Sequence, residues 1–175
     1  MTREETPVEL VDADGTAMGE ATVAVAHTAP GLLHRAFSVL LFDPDGRLLL
    51  QQRAATKTRF ALRWANACCG HPSPGEPVAG AASRRLAEEL GLRGVRLTPA
   101  GVYVYRAPDP DTQRVEHEYD HVLVGQLAAA TPIEPDPAEV AALRWVRPGN
   151  LGEEPLAYAP WLAGVVSAWE SAGGH

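Results

Sequence analysis

"GHPSPGEPVAGAASRRLAEELGL" (residues 70–92) is the stretch from which the rest of the chain can be read. A turn rich in proline and glycine runs into "PVAGAASRRLAEELG" (77–91). There Ala82, Leu86 and Leu90 recur every four residues, which predicts a helix with one apolar face, and Gly91 predicts its end. Arg84/Glu88 and Arg85/Glu89 stand at the spacing of ordinary ion pairs on a solvated helix face. That explains each pair taken singly. It leaves unexplained the longer spacing: Gly70, five residues, Glu76, seven residues, Arg84-Arg85-Leu86, one residue, Glu88-Glu89, one residue, Gly91-Leu92.

Immediately upstream, "ANACCGHPSPGE" (65–76) holds Cys68 and Cys69, the only two cysteines of the chain. Neighbouring cysteines strain the geometry of a disulfide, so the pair reads as core filling or as chemistry. Outward from there, "AFSVLLFDPDGRLLLQQR" (36–53) reads as a hairpin about an Asp-Pro-Asp-Gly turn. Strands are expected at 100–107, 118–128 and 141–148, with "PDPDTQRVEH" as the loop between the first two. A C-terminal helix is expected over 159–174. The proline-rich 130–140 stretch is too short to separate domains. Mixed helices and strands in 175 residues point to one α/β or α+β domain spanning 1–175.

Composition narrows the function. The chain is 46% hydrophobic and 21% charged, with a net charge of −7. That balance argues against a general nucleic-acid or membrane-surface binder, which rewards basic patches, but it leaves room for an anionic small molecule held by local arginines and lysines. The charged start "MTREETPVELVD" lacks the apolar core of a signal peptide, and no apolar run reaches the length of a membrane span. Two unpaired cysteines suit a reducing compartment. The expectation is a cytoplasmic protein, monomeric or a weak homo-oligomer, with no nucleic-acid partner and no membrane insertion.

The spacing from Gly70 to Leu92 resembles the Nudix box, a loop-helix-loop whose carboxylates hold a divalent cation against a diphosphate. One position differs. Arg85 stands where a Nudix hydrolase has a metal-binding glutamate, which argues against pyrophosphohydrolysis and favours holding an anion. "CCGHPSPGE" followed by "RRLAEELG" is similar to type I isopentenyl diphosphate isomerase. The likeness extends to "AHTAPGLLHRAFSVLLF" (26–42), "WANACCGHP" (64–72), "YRAPDP" (105–110), "VEHEYDHV" (115–122) and "YAPW" (158–161).

This resemblance implies a Nudix fold, with a mixed β-sheet sandwiched between helices, and isomerisation of isopentenyl diphosphate to dimethylallyl diphosphate by protonation and deprotonation. It matches His27, His34, His71, Glu116 and Glu118 to a first metal site for Mg²⁺, Mn²⁺ or Zn²⁺. Taken singly, each histidine reads as a surface or satisfied core residue. The alternation of Glu116 and Glu118 on a strand does put both on one face. A second, diphosphate-linked Mg²⁺ is implied at Glu89 with the backbone carbonyl of Cys69. Cys69 matches the essential thiol, Glu118 the opposing acid–base carboxylate, Tyr105 its partner, and Trp161 an indole that stabilises a carbocation through its π face. By packing statistics alone, Tyr105 and Trp161 would be core aromatics and Cys69 a small buried hydrophobe.

Arg53, Lys57 and Arg85 match the diphosphate-binding residues. The lysine usual four residues before the first histidine ligand is Val23 here. The usual Pro-Gly turn before the tryptophan is replaced by "RFALRW" (59–64), with Arg59 and Arg63 as candidate substitutes for the missing charge. Three alternatives stand beside the isomerase: an enzyme that protonates, isomerises or cyclises a larger prenylated olefin, a Nudix pyrophosphohydrolase, and a metal-stabilised binding module.

Overall fold

The computed structural model describes residues 2–153 and 155–174. In chain order the elements are β1 (Pro7–Val11), β2 (Ala17–Thr22), α1 (Val23–Ala26), β3 (His34–Phe42), β4 (Leu48–Arg53), β5 (Trp64–Asn66), β6 (Cys68–Gly70), α2 (Val78–Leu90), β7 (Thr98–Pro108), β8 (Val115–Gln126), β9 (Val140–Val146) and α3 (Leu162–Ser171). The strands form one mixed sheet. β3 lies parallel to β8 and antiparallel to β1, β4 and β6, while β7 and β9 extend the sheet along β8 and β4.

The apolar run of β3 is buried on both faces, as a central strand requires. Its side chains alternate with period two. Phe37, Val39 and Leu41 join the core under α2, with Ala81, Ala82, Leu86 and Leu90. Leu40 and Phe42 join the core under α3, with Leu162, Val165 and Val166. The sheet is thus sandwiched between helices in a single α+β domain.

The predicted α2 forms with the expected face inward and closes at Gly91, which takes φ +68°. A Cβ there would also press to 3.0 Å from the Glu134 side chain, so the cap favours glycine for two reasons. Other boundaries shift. The loop expected over 108–117 shrinks, because β7 and β8 pair as far as Pro108 with Val115. Asp109 closes the connection, accepting hydrogen bonds from Thr112 Oγ1 (2.6 Å) and from the backbone N–H groups of Asp111 (3.1 Å) and Phe60 (3.0 Å). The last helix begins at Leu162, later than the expected 159. The backbone around Tyr158 and Ala159 is drawn off to bridge Trp64 on β5. The β1–β2 hairpin has no strong apolar alternation in β2, which is almost wholly exposed, and only its pairing reveals it.

Candidate active site

The adjacent cysteines sit on β6, where successive side chains leave opposite faces of the sheet. Cys68 enters the core beneath α2 and is fully buried. Cys69 turns to the other face, beside Tyr105 and Trp161. One neighbour orients both catalytic candidates. Asn66 Oδ1 accepts from Cys69 Sγ at 3.2 Å and from Trp161 Nε1 at 3.1 Å, while its amide nitrogen donates to the carbonyls of Val39 (3.2 Å) and Cys68 (2.8 Å). With every polar atom of that amide in use, the indole and the thiol are held in fixed relation.

Behind the thiol, Ser38 Oγ lies 3.6 Å from Cys69 Sγ and donates to Asp120 Oδ2 at 2.7 Å. Burial, followed by the negative Asp120, pushes the Cys69 thiol up to about 12, so it holds its proton. Burial likewise raises Asp120 to about 7. Neither Ser38, Asn66 nor Asp120 was singled out by sequence reasoning. Asn66 and Ser38 lay inside quoted blocks, but serine and asparagine carry no spacing signal of their own.

At the His34 end of β3, on the face that also carries Ser38, the five predicted metal ligands converge. His27 caps α1, His34 opens β3, His71 follows β6, and Glu116 and Glu118 lie on β8, with His34 in register opposite Glu118. Each offers a donor atom, and these atoms all lie within 4.8 Å of one another. His27 Nδ1 and His34 Nδ1 donate to the carbonyls of Val23 (2.7 Å) and Leu32 (2.8 Å). Those bonds turn both Nε2 atoms toward the cluster, where His27 Nε2 lies 2.7 Å from Glu116 Oε2, the arrangement that orients ligating imidazoles.

His34 Nε2 is buried with no hydrogen-bond partner, and Glu118 Oε1 stands 3.8 Å from it. An orphaned buried imidazole nitrogen facing two carboxylates and two further imidazoles fits a divalent cation. Burial, then the charge of neighbouring histidines, lowers His34 to about 4 and His71 well below its usual range, so both are neutral and ligand-ready. Burial alone would raise Glu116, but the His27 hydrogen bond and the charges of His27 and Arg59 outweigh it and hold the carboxyl well below normal. Glu118 goes the other way. Burial, then the charges of Glu116 and Asp120, push it well above normal. Tyr105, itself raised by burial and by Glu118, donates to Glu118 Oε2 at 2.7 Å. His117 instead hydrogen-bonds the Gly31 carbonyl at 2.9 Å and is outside the cluster.

Cys69, Tyr105, Glu118 and Trp161 line one cavity of about 510 Å³, together with Arg53, Lys57 and Arg85. The basic residues differ in their commitments. Lys57 pairs with Glu139 and approaches Glu89 at 3.9 Å. Arg85 pairs with Glu88 and Glu89. Glu89 is buried rather than on a solvated face, and also accepts from Gln51 Nε2 at 3.1 Å. Arg53 donates to the carbonyls of Arg59 and Phe60 and stacks 5.5 Å above the Trp161 ring. Of the two candidate substitutes, Arg59 lines the cavity but is engaged with Glu4 and Glu116. Arg63 does not line it and faces Asp111 at 3.8 Å.

Residues 32–169 match the NUDIX domain family model. The isopentenyl-diphosphate Delta-isomerase of Nocardia farcinica (strain IFM 10152) is 63% identical over 95% of this chain and 95% of that relative. The enzyme of the same name from Streptomyces griseus is 48% identical over 98% of this chain and 85% of that relative. The crystal structure of DR0079 from Deinococcus radiodurans superposes with a TM-score of 0.71 at 18% identity, over 92% of this chain and 97% of that one, which speaks to the fold alone. The chain belongs to the type I isopentenyl-diphosphate Delta-isomerase family, within the NUDIX-domain proteins.

Proposed function

We propose that this chain isomerises isopentenyl diphosphate to dimethylallyl diphosphate. The observation that carries the reading is the gathering of Cys69, Glu118, Tyr105 and Trp161 around one cavity, beside a cluster of three histidines and two glutamates. The reaction adds a proton to one alkene carbon, using the π electron pair to form the C–H bond, and leaves a tertiary cation. Loss of a proton from a neighbouring carbon returns an electron pair to form the new double bond. One of Cys69 and Glu118 gives up the proton that the alkene takes, and the other, in its deprotonated form, accepts the proton that the cation loses; reversing the reaction exchanges their roles.

Tyr105 fixes the Glu118 carboxyl through its hydroxyl, and Trp161 offers its π face to the cation. Arg53, Lys57 and Arg85 provide the positive wall for the diphosphate. A divalent ion, Mg²⁺, Mn²⁺ or Zn²⁺, held by His27, His34, His71, Glu116 and Glu118 would supply charge that keeps Glu118 oriented and acidic. The diphosphate-linked Mg²⁺ is assigned to Glu89 and the Cys69 carbonyl, a reading supported by the buried carboxylate of Glu89 beside Arg85 and Lys57. Among the described residues no helix is long and apolar enough to cross a membrane, and the substrate is a small prenyl diphosphate.

The test is turnover of isopentenyl diphosphate in D₂O with Mg²⁺ or Mn²⁺, read by NMR, with longer prenyl diphosphates in parallel. Dimethylallyl diphosphate carrying deuterium on the protonated carbon is expected. Phosphate or pyrophosphate release in its place would restore the hydrolase reading, and turnover confined to longer olefins would overturn the substrate.

A further inference from the structure

Beside the metal-ligand cluster, the cavity has one position where a cation is missing and another where one is added. Val23 lines it with a buried isopropyl group, where the family resemblance expects a lysine. Arg59 lines the same cavity and is 6% exposed. Its Nε donates to Glu116 Oε1 at 3.1 Å, and its Nη1 donates to Glu4 Oε1 at 2.9 Å. We propose that Arg59 is a diphosphate-binding side chain of this enzyme and that Glu4 is its built-in competitor, which the substrate's diphosphate displaces. The isomerase reading enters only in naming the anion.

Three observations carry this. First, Arg59 is pre-positioned. Arg53 donates from Nε and Nη2 to the carbonyl of Arg59 (3.3 and 2.9 Å) and from Nε to that of Phe60 (3.1 Å), tying down the loop from which Arg59 projects. A matched residue of the diphosphate wall therefore holds the backbone of the new one.

Second, Glu4 is an ill-fitting occupant. Its Oε1 takes both Arg59 and the Thr58 hydroxyl (2.9 Å), but its Oε2 is buried with no hydrogen-bond partner. A buried carboxylate oxygen left unpaired is costly, so exchange for a phosphate that uses more donors is favourable. The exchange also keeps Arg59 opposite an anion throughout, avoiding the large penalty of an uncompensated buried charge.

Third, the neighbouring residue repeats the pattern. Arg3, in the same 3₁₀ turn (Arg3–Glu5), pairs with Glu139, and Glu139 pairs with Lys57. The N-terminal turn is thus pinned by charges across the basic wall. A guanidinium can hold Glu116 on its Nε edge and phosphate oxygens on its terminal nitrogens, which a point-charge lysine cannot do.

The probe is inorganic pyrophosphate at fixed Mg²⁺, titrated calorimetrically into the full chain, its Glu4→Gln and Arg59→Gln variants and the double variant. Metal content and the KM for isopentenyl diphosphate are measured alongside. Glu4→Gln should bind pyrophosphate about two- to fivefold tighter, the scale of one partly exposed ion pair removed. Arg59→Gln should bind it about ten- to a hundredfold more weakly, with KM rising more than kcat falls. In the Arg59→Gln background, Glu4→Gln should change nothing.

Unchanged or weaker pyrophosphate binding by Glu4→Gln overturns the proposal, as does an equal gain with and without Arg59. If Arg59→Gln fails to fold or sheds metal, Glu4→Gln alone decides by the same criterion. A chain with the expected pyrophosphate pattern that makes no dimethylallyl diphosphate refutes the isomerase reading and leaves this one standing. A competent isomerase indifferent to Glu4→Gln does the reverse.

Discussion

Truncating the two neighbouring cysteines one at a time separates packing from chemistry at a single step along β6. Cys68→Ala removes one sulfur from a fully buried position under α2. The deletion is comparable to losing a buried methylene, so the cost is about 1 kcal/mol, or ~2–4 °C in Tm for a chain of this size. Turnover and metal content should stay near wild type, because that sulfur faces away from the cavity. Cys69→Ala removes a sulfur that touches Asn66 Oδ1 at 3.2 Å and Ser38 Oγ at 3.6 Å and lines the cavity. Loss of a proton-transfer group costs about 10²–10⁴ in rate, or ~3–5 kcal/mol of barrier. The side chain lies outside the metal cluster, so metal content should not fall. The assay is dimethylallyl diphosphate formation in D₂O, with metal analysis and thermal melts on the same samples. An inactive Cys68→Ala beside an active Cys69→Ala would refute the assignment of faces on β6, and with it the roles given to both residues.

Glu118→Gln should reduce turnover and also weaken metal affinity at least tenfold, since removing even a partner behind a ligand costs that much; metal titration of the purified variant checks it. Leu62 sits at φ +60° and is 48% exposed, so Leu62→Gly should raise stability by up to about 1 kcal/mol, relief of left-handed strain outweighing the added freedom of the unfolded chain, whereas Leu62→Ala should not; paired melts decide. Glu139 is held down at about 2, because its hydrogen bonds with Arg3 and Lys57 outweigh burial. A depressed carboxyl contributes stability that is present above its unfolded value of 4.5 and lost as pH falls toward about 2. Glu139→Gln should therefore flatten stability between those limits in acid titration, and an unaltered acid limb would contradict the ion pairs.

The elements legible in the sequence are those whose cause is local. α2 follows from apolar residues four apart and a glycine able to take φ +68° at its end. The hairpin of β3 and β4 follows from two apolar runs about a turn, and the common face of Glu116 and Glu118 follows from strand alternation, which buries both. The same alternation separates Cys68 from Cys69, although only the packing of β6 between two cores shows which of them meets the cavity.

Strand boundaries were less legible, because they depend on partners. β8 begins at Val115 only because Pro108 lies opposite. The metal cluster was visible as a resemblance, not as geometry: His27 and Glu116 are 89 residues apart, and their 2.7 Å contact exists only once α1 and β8 are folded together. Tertiary structure alone decided the duties of Asn66, Ser38 and Asp120, and it decided which added arginine matters. Arg59 and Arg63 look alike on the page, four residues apart, yet one is drawn into the cavity between Glu4 and Glu116 and the other faces Asp111. Charge and spacing are properties of the chain, whereas the partner that a buried charge must find is a property of the fold.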